Sequence, residues 1–365
     1  MHASDLCPEW LDRILHESGI IDPTVSVISI GTEPIGTGQV ADSIQTRVCY
    51  SGDTAAPASF VAKTSSAKEQ SRAAGRSELN YLREVRFYQE IAPRLSVRVP
   101  RCHHAEIDSN NTEFVLLLED LSPARPGDQL RGCTVEEVGA AVEQAAHIHA
   151  PFWGSVELKG NAWLDISDTY WARFIEMMPG WWSGFVERYR DRLAPDDIEL
   201  GQAFTDHIAD YYAALRTIPF TVQHGDFRPD NVLFDALDGK VPLAVLDWQT
   251  VIFAPGTVDI AYFIGGALSP AMRREHEGAL LERYHGELVA QGITDYSMTD
   301  LLRDYPIGTF QNLVIGVAAA MLVARSDRGD DLFVSMVANA LAHARDHDGL
   351  AAIVDTVARQ GFAHA

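Results

Sequence analysis

The eight residues His224-Gly225-Asp226-Phe227-Arg228-Pro229-Asp230-Asn231, with Asp247 further on in Val245-Leu246-Asp247-Trp248, constrain this chain more than any other segment. Val232-Leu233-Phe234 and the run from Val241 to Leu246 flank Asp238-Gly239, the pattern of an antiparallel hairpin around an Asp-Gly turn. Asn231 starts one strand and Asp247 ends the other at nearly equal distances from the turn, so pairing brings the two side chains together. The residue types then point to one chemistry. Moving a phosphoryl group from ATP to a hydroxyl requires a carboxylate that accepts the hydroxyl's hydrogen bond, and oxygen ligands that hold Mg2+ on the triphosphate. Asp226 fits the base, and Asn231 and Asp247 fit the metal ligands.

The same segment resembles the catalytic loop of the protein-kinase-like superfamily, and within it the branch of aminoglycoside phosphotransferases and choline or ecdysteroid kinase-like proteins. His224-Gly225-Asp226 stands where protein kinases carry His-Arg-Asp, and Asp247 precedes Trp-Gln in place of Phe-Gly. Both departures point toward small-molecule substrates. The resemblance implies an α+β, two-lobed protein-kinase-like fold. A small antiparallel-sheet lobe, residues 1–118, is expected to bind nucleotide, and a larger, mostly helical lobe, residues 119–365, to carry catalysis and the acceptor. Arg228, two residues past the proposed base, is a catalytic candidate that stabilises charge on the transferred group, or else one half of a loop salt bridge. His224 reads as a brace for the loop.

Upstream, residues 25–30 read as a strand and Gly36-Thr37-Gly38-Gln39-Val40-Ala41 as a glycine turn. A dinucleotide-binding unit, and with it a nicotinamide oxidoreductase, offers the same strand and glycines, but its turn must open a helix. Here Ile44, Thr46, Val48 and Tyr50 alternate with Gln45, Arg47 and Cys49, which is strand periodicity. A strand, glycine loop and strand suit a kinase, with Gly36 and Gly38 letting backbone amides approach nucleotide phosphates; an ordinary hairpin turn is the alternative. The resemblance makes Lys63, closing Phe60-Val61-Ala62-Lys63, the lysine that contacts those phosphates; the plain alternative is a solvated strand end. Tyr81, Val85, Tyr88 and Ile91 recur at helical spacing with Glu84 inside their stripe, and a carboxylate there needs a partner. Lys63 is the partner the resemblance implies, with Glu78 the second choice for the carboxylate. Phe114 to Leu118 reads as a buried strand leading into the hinge, where main-chain groups around Glu119 and Leu121 are expected to meet adenine.

Composition bounds the partners. Twenty-nine basic against 51 acidic residues give a formal charge of −22, which disfavours nucleic acid and anionic membranes and draws in cations. No protein partner is evident. Cys7, Cys49, Cys102 and Cys133 lack a Cys-x-x-Cys pair, so neither zinc site nor disulfide framework is expected, and a cytoplasmic setting follows as an expectation. Residues 1–20 look like an amphipathic helix without a signal-peptide core, and no stretch is expected to reach membrane-spanning length. Residues 134–150 read as a helix ending in His147-Ile148-His149, whose two imidazoles diverge too far to share a metal.

Tyr170-Trp171 through Trp181-Trp182 to Tyr211-Tyr212 makes an aromatic, helical region that shapes an acceptor pocket or simply packs the lobe. Asp259 opens a helix and matches the superfamily aspartate that braces the catalytic loop, unless it is only a cap. Val314 to Leu322 reads as a buried helix. The expected function is ATP- and Mg2+-dependent transfer to the hydroxyl of a small molecule. A catalytically silent nucleotide sensor is the alternative. The acidic charge favours a cationic acceptor, the aromatic region a bulky apolar alcohol.

Overall fold

The computed structural model describes residues 5–36 and 40–363. Helix α1 (Pro8–Glu17) is shorter than the 1–20 expected and seats Leu11, Ile14 and Leu15 against Val27, Val48, Phe60 and Leu117 of the sheet that follows. Strands β1 (Val27–Ile35) and β2 (Ala41–Tyr50) form an antiparallel hairpin, which excludes the strand-turn-helix of a dinucleotide-binding unit. β3 (Ser59–Ser65) runs two residues past Lys63 because Thr64 and Ser65 are buried and continue the ladder with β2.

Helix α2 (Glu69–Ser77) leads to α3 (Asn80–Arg86), and β4 (Cys102–Ile107) and β5 (Phe114–Glu119) complete a five-stranded antiparallel sheet in the order β1-β2-β3-β5-β4. The helix expected through Ile91 changes to a wider π turn over Phe87–Ile91. That widening accompanies a stack of Phe87 on Trp248, with ring centroids 3.8 Å apart and planes 7° from parallel.

The rest is mainly helical. Short β6 (Arg125–Pro126) precedes α4 (Val135–His149), which starts on a reciprocal Thr134–Glu137 capping box and buries Val138, Val142, Ala145 and Ile148. Then come α5 (Ser167–Tyr189), α6 (Pro195–Asp206) and α7 (Ile208–Leu215). Four strands frame the signature segment: β7 (Phe220–Gln223), β8 (Val232–Ala236), β9 (Val241–Val245) and β10 (Ile252–Pro255). β8 and β9 form the expected hairpin with Val232 opposite Val245, and β7 pairs with β10. Helices α8 (Thr257–Ala267), α9 (Pro270–Ala290), α10 (Met298–Gly308), α11 (Gln311–Leu322), α12 (Asp327–Asp346) and α13 (Gly349–Ala363) close the chain.

Every residue of α8 is buried, because the helix lies between two apolar clusters. One joins Val85 and Leu116 of the sheet region to Val142, Val232 and Ile260; the other gathers Trp182, Phe204, Tyr211, Phe310 and Val337. Met298–Leu322 is long and apolar enough to cross a membrane by length and composition, which corrects the expectation that no stretch is. Its apolar window is 67% buried within the protein, where α11 packs on α5, α8 and α12.

Candidate active site

β3 and α3 bring Lys63 and Glu84 together. Lys63 Nζ donates to Glu84 Oε1 at 2.8 Å and to Asp247 Oδ1 at 2.9 Å. Burial disfavours the charge on Lys63, but the Asp247 and Glu84 carboxylates outweigh it and raise the lysine's pKa. Burial likewise works against a charged Asp247, yet the ammonium holds that carboxyl below its ordinary value. Glu84, only 1% exposed, is pushed up by burial, which Lys63 offsets in part. Glu78, the second choice for this role, instead pairs with Arg173.

Asp247 adopts φ +62°, a left-handed conformation that a non-glycine residue keeps only where its surroundings enforce it. Those surroundings are visible. The Leu246 amide donates to the Asn231 carbonyl at 2.9 Å, Trp248 stacks on Phe87, and Asn80 Nδ2 donates to the Gln249 carbonyl at 2.9 Å. Trp-Gln after the aspartate thus locks the segment onto α3 and the π turn that follows it.

The loop between β7 and β8 is held by Asp259, whose carboxylate accepts from the His224 amide at 2.7 Å and the Gly225 amide at 3.1 Å. His224, fully buried, bonds through Nε2 to the Leu246 carbonyl at 2.8 Å and accepts the Asp226 amide on Nδ1 at 3.3 Å. Its ring therefore ties loop to hairpin. Gly225 must be glycine: its φ is +83°, and a Cβ there would sit 2.5 Å from the Thr250 carbonyl oxygen.

The Asp226 carboxylate gathers three donors. Asn231 Nδ2 reaches Oδ2 at 2.8 Å, Arg228 Nε lies 3.2 Å from both oxygens, and the Tyr262 hydroxyl donates to Oδ1 at 2.8 Å. Tyr262 was not anticipated from the sequence. It follows Asp259 by three residues, so one face of α8 delivers both, a spacing visible only once Asp259 is known to point at the loop. Arg228 also lies 3.4 Å from Asp230, so its observed bonds are those of a loop salt bridge.

The donor set fits Mg2+. Asn231 Nδ2 is 2.8 Å from two atoms of Asp226, the main-chain carbonyl and Oδ2, so both amide hydrogens are committed and Oδ1 is the atom offered to a cation. With the Asp247 carboxylate it makes a hard oxygen pair. At the segment expected to meet adenine, the Glu119 amide donates to the Arg101 carbonyl at 2.8 Å and its carboxylate binds Arg98, while the Leu121 carbonyl accepts from Leu237 at 3.1 Å. Those contacts are structural. Gly36, at φ +72°, ends β1, and Gly38 lies outside the described residues.

A cavity of about 350 Å³ opens at Asp226. Tyr170, Phe174 and Trp181 of α5 line one side, Ile315, Ala319 and Leu322 of α11 another, and Leu332, Phe333 and Met336 of α12 a third. The aromatic region thus divides: these α5 residues face the cavity, whereas Trp182 and Tyr211 pack the core. The walls from α11 and α12 were missed, since an apolar helix reads as core whether or not a cavity borders it.

Away from the cleft, His147 meets Ser96 and Glu287, and His149 meets Tyr284 and Asp259, so the two imidazoles do diverge. A cluster of potential metal ligands that the sequence did not suggest joins Glu277, His343 and His347. Arg273, 3.3 Å from Glu277, already supplies its positive charge, and Tyr305 adds a hydroxyl at 2.7 Å. The group reads as a buried ion network centred on Glu277, with only His343 Nδ1 of its buried polar atoms left without a partner among the described residues.

The sequence matches the model of the ecdysteroid kinase-like family over residues 43–293. No curated protein matches it. Among solved structures, an ethanolamine kinase of Plasmodium vivax superposes with a TM-score of 0.54 at 10% identity, over 93% of this chain and 90% of that one. A choline kinase of Cryptosporidium parvum Iowa II gives 0.55 at 10% identity, over 91% and 94%. The GDP complex of wild-type aminoglycoside 2'-phosphotransferase-IIIa gives 0.49 at 16%, over 92% and 98%. The first two carry the fold assignment, protein-kinase-like with an antiparallel-sheet N-terminal region and a helical C-terminal region. With more than half of its length matched by the family model, the chain belongs to the ecdysteroid kinase-like family.

Proposed function

We propose that this protein is an ATP-dependent kinase that phosphorylates a hydroxyl of an uncharged, largely apolar small molecule. The observation that carries the reading is Lys63 held between Glu84 and Asp247 while Asp226 faces a 350 Å³ cavity. Nucleotide would lie between the sheet-bearing residues 1–118 and the remainder, with Gly36 and Gly38 near its phosphates and the backbone around Glu119 and Leu121 near its base.

Lys63, steadied by Glu84, orients the phosphates. Asp226 accepts the hydrogen bond of the acceptor hydroxyl and takes its proton as the new O–P bond forms. Asn231 and Asp247 would hold Mg2+, which would supply neutralisation of charge on the phosphate oxygens. Arg228, salt-bridged to Asp226 and Asp230, orients the Asp226 carboxylate, and only on leaving that bridge would its guanidinium reach charge on the transferred group. The cavity walls exclude water and hold the acceptor in reach.

The choice between a cationic and an apolar acceptor turns on the wall chemistry. Glu78 and Asp226 are its acids, and Arg173 and Arg228 its bases, each pair already joined. A polycation finds no spare counter-charge there, whereas an apolar body buries surface against α5, α11 and α12. The chain's net charge of −22 is therefore a property of its surface and not of this pocket.

Incubation with Mg-ATP and a panel of hydroxylated compounds, read by ADP release and product mass, tests the reading, with Asp226→Asn as the control. Product formed by the wild type and lost in the variant supports it. Nucleotide binding with no transfer to any compound favours a silent sensor, and no nucleotide binding at all overturns the kinase reading.

A further inference from the structure

The acceptor cavity has an inner branch. Tyr170, Phe174, Gly225, Thr250 and Ile315 line both the 350 Å³ space and a smaller one of about 30 Å³ behind it. That is room for one oxygen-sized group and little more. Its walls are aromatic and aliphatic, but two amides reach it: Gln223, the last residue of β7, and Gln311, the first of α11. Gln223 is 5% exposed, and its side-chain amide has no hydrogen-bond partner among the described residues. Gln311 lines the same space and accepts the Tyr211 hydroxyl on its side-chain carbonyl at 3.1 Å, which leaves its NH2 group as the donor it can offer a ligand. An amide enclosed this far, bordering a cavity and without a protein partner, is free to bond a group that enters it.

We propose that Gln223 and Gln311 form a polar subsite at the inner end of the acceptor pocket, which takes a second oxygen, hydroxyl or carbonyl, at the far end of the acceptor. The proposal rests on the kinase reading only in calling the ligand an acceptor. Gln223 and Asp226 are three residues apart, and three Cα steps span at most about 11 Å. That bounds the backbone at the two ends of the site, and a short apolar body such as a fused bicyclic ring, carrying an oxygen at each end, suits a separation of this order and the largely apolar walls.

The probes are trans-decalin-2,6-diol and trans-2-decalol, bound to the full chain in the presence of Mg2+ and a non-hydrolysable ATP analogue and measured by calorimetry. The wild type is expected to favour the diol about tenfold, beyond the statistical advantage of a symmetrical compound, and Gln223→Leu to bring that ratio close to one. Gln223→Met, which keeps side-chain length, serves if the leucine variant does not melt cooperatively. Equal binding of both probes by the wild type, a preference that survives in the variant, or failure of both to bind overturns the subsite. Transfer assays with Mg-ATP separate the two readings: preference without transfer leaves the subsite standing and removes the kinase, and transfer without preference does the reverse.

Discussion

The Tyr262 hydroxyl lies 2.8 Å from Asp226 Oδ1, while Asp259, one turn earlier on the same helix, holds the amides of His224 and Gly225. α8 therefore fixes both the backbone of the His224–Asn231 loop and the orientation of the Asp226 carboxylate. Burial, with Asp226 nearby, raises the Tyr262 pKa well above its ordinary value, so the phenol stays a donor at working pH.

Tyr262→Phe keeps the ring and removes one donor. A hydrogen bond to a charged group contributes about 1.5–3 kcal/mol, so kcat is expected to fall roughly ten- to a hundredfold with the melting temperature little changed. An unchanged kcat would reduce Tyr262 to packing.

Lys63→Met strands two carboxylates, Glu84 and Asp247, beside one another without their cation. Breaking a mostly buried ion pair in this way costs about 3–5 kcal/mol. Urea denaturation should show that loss, together with Mg-ATP binding weakened more than tenfold. Glu84→Gln is expected to cost less stability, since Asp247 still pairs with the lysine; equal stability of Lys63→Met and wild type would contradict the clamp.

The hairpin and its flanking residues were legible because the turn, both strands and the polar residues at their ends are contiguous in sequence. Glu84 was legible because a charge inside an apolar helical stripe demands a partner. Tyr262 was not, since on a helix buried all round no single side chain stands out by periodicity. The cavity was hidden for a related reason: Ala319 and Met336 obey the same apolar pattern as residues that touch only core. The paired cavity acids were hidden as well, because net charge says nothing about where charges cancel.

Acid should destabilise the fold well above the carboxylate range. Burial pushes His343 down to about 4 from its ordinary 6.5, against the pull of Glu277, with Arg273 and His347 adding to the depression. The unfolded chain takes up this proton below 6.5 and the folded one only near 4, so stability falls as pH drops through that window, by up to about 3 kcal/mol. Glu277 acts in the same sense: burial opposes its charge, but His343 and His347 lower its pKa, and its contribution fades as pH falls below 4.5. Urea midpoints between pH 7.5 and 4.5 check this, and His343→Gln should flatten the slope.

Gly225→Ala tests the loop. The left-handed φ costs about 1 kcal/mol for a residue with a Cβ, and the 2.5 Å approach to the Thr250 carbonyl must be relieved by moving backbone. A total loss of about 2 kcal/mol or more is expected in denaturation, with transfer falling further than nucleotide affinity, because Asp226 moves and the Lys63 clamp does not.

Ala319→Phe separates the cavity from the nucleotide site. Ala319 sits on α11 and lines the 350 Å³ space, where a phenyl ring removes room an acceptor needs without touching Lys63, Asp247 or Asn231. The KM for a bulky acceptor should rise at least about tenfold while the Kd for Mg-ATP stays within about twofold, since loss of fit in an apolar pocket is paid in acceptor binding alone. Small alcohols give the counter-check: they leave the ring's volume unused, so their KM should change little. If bulky and small acceptors lose affinity equally, the space beside Ala319 does not hold the acceptor, and the alcohol reaches Asp226 by another face.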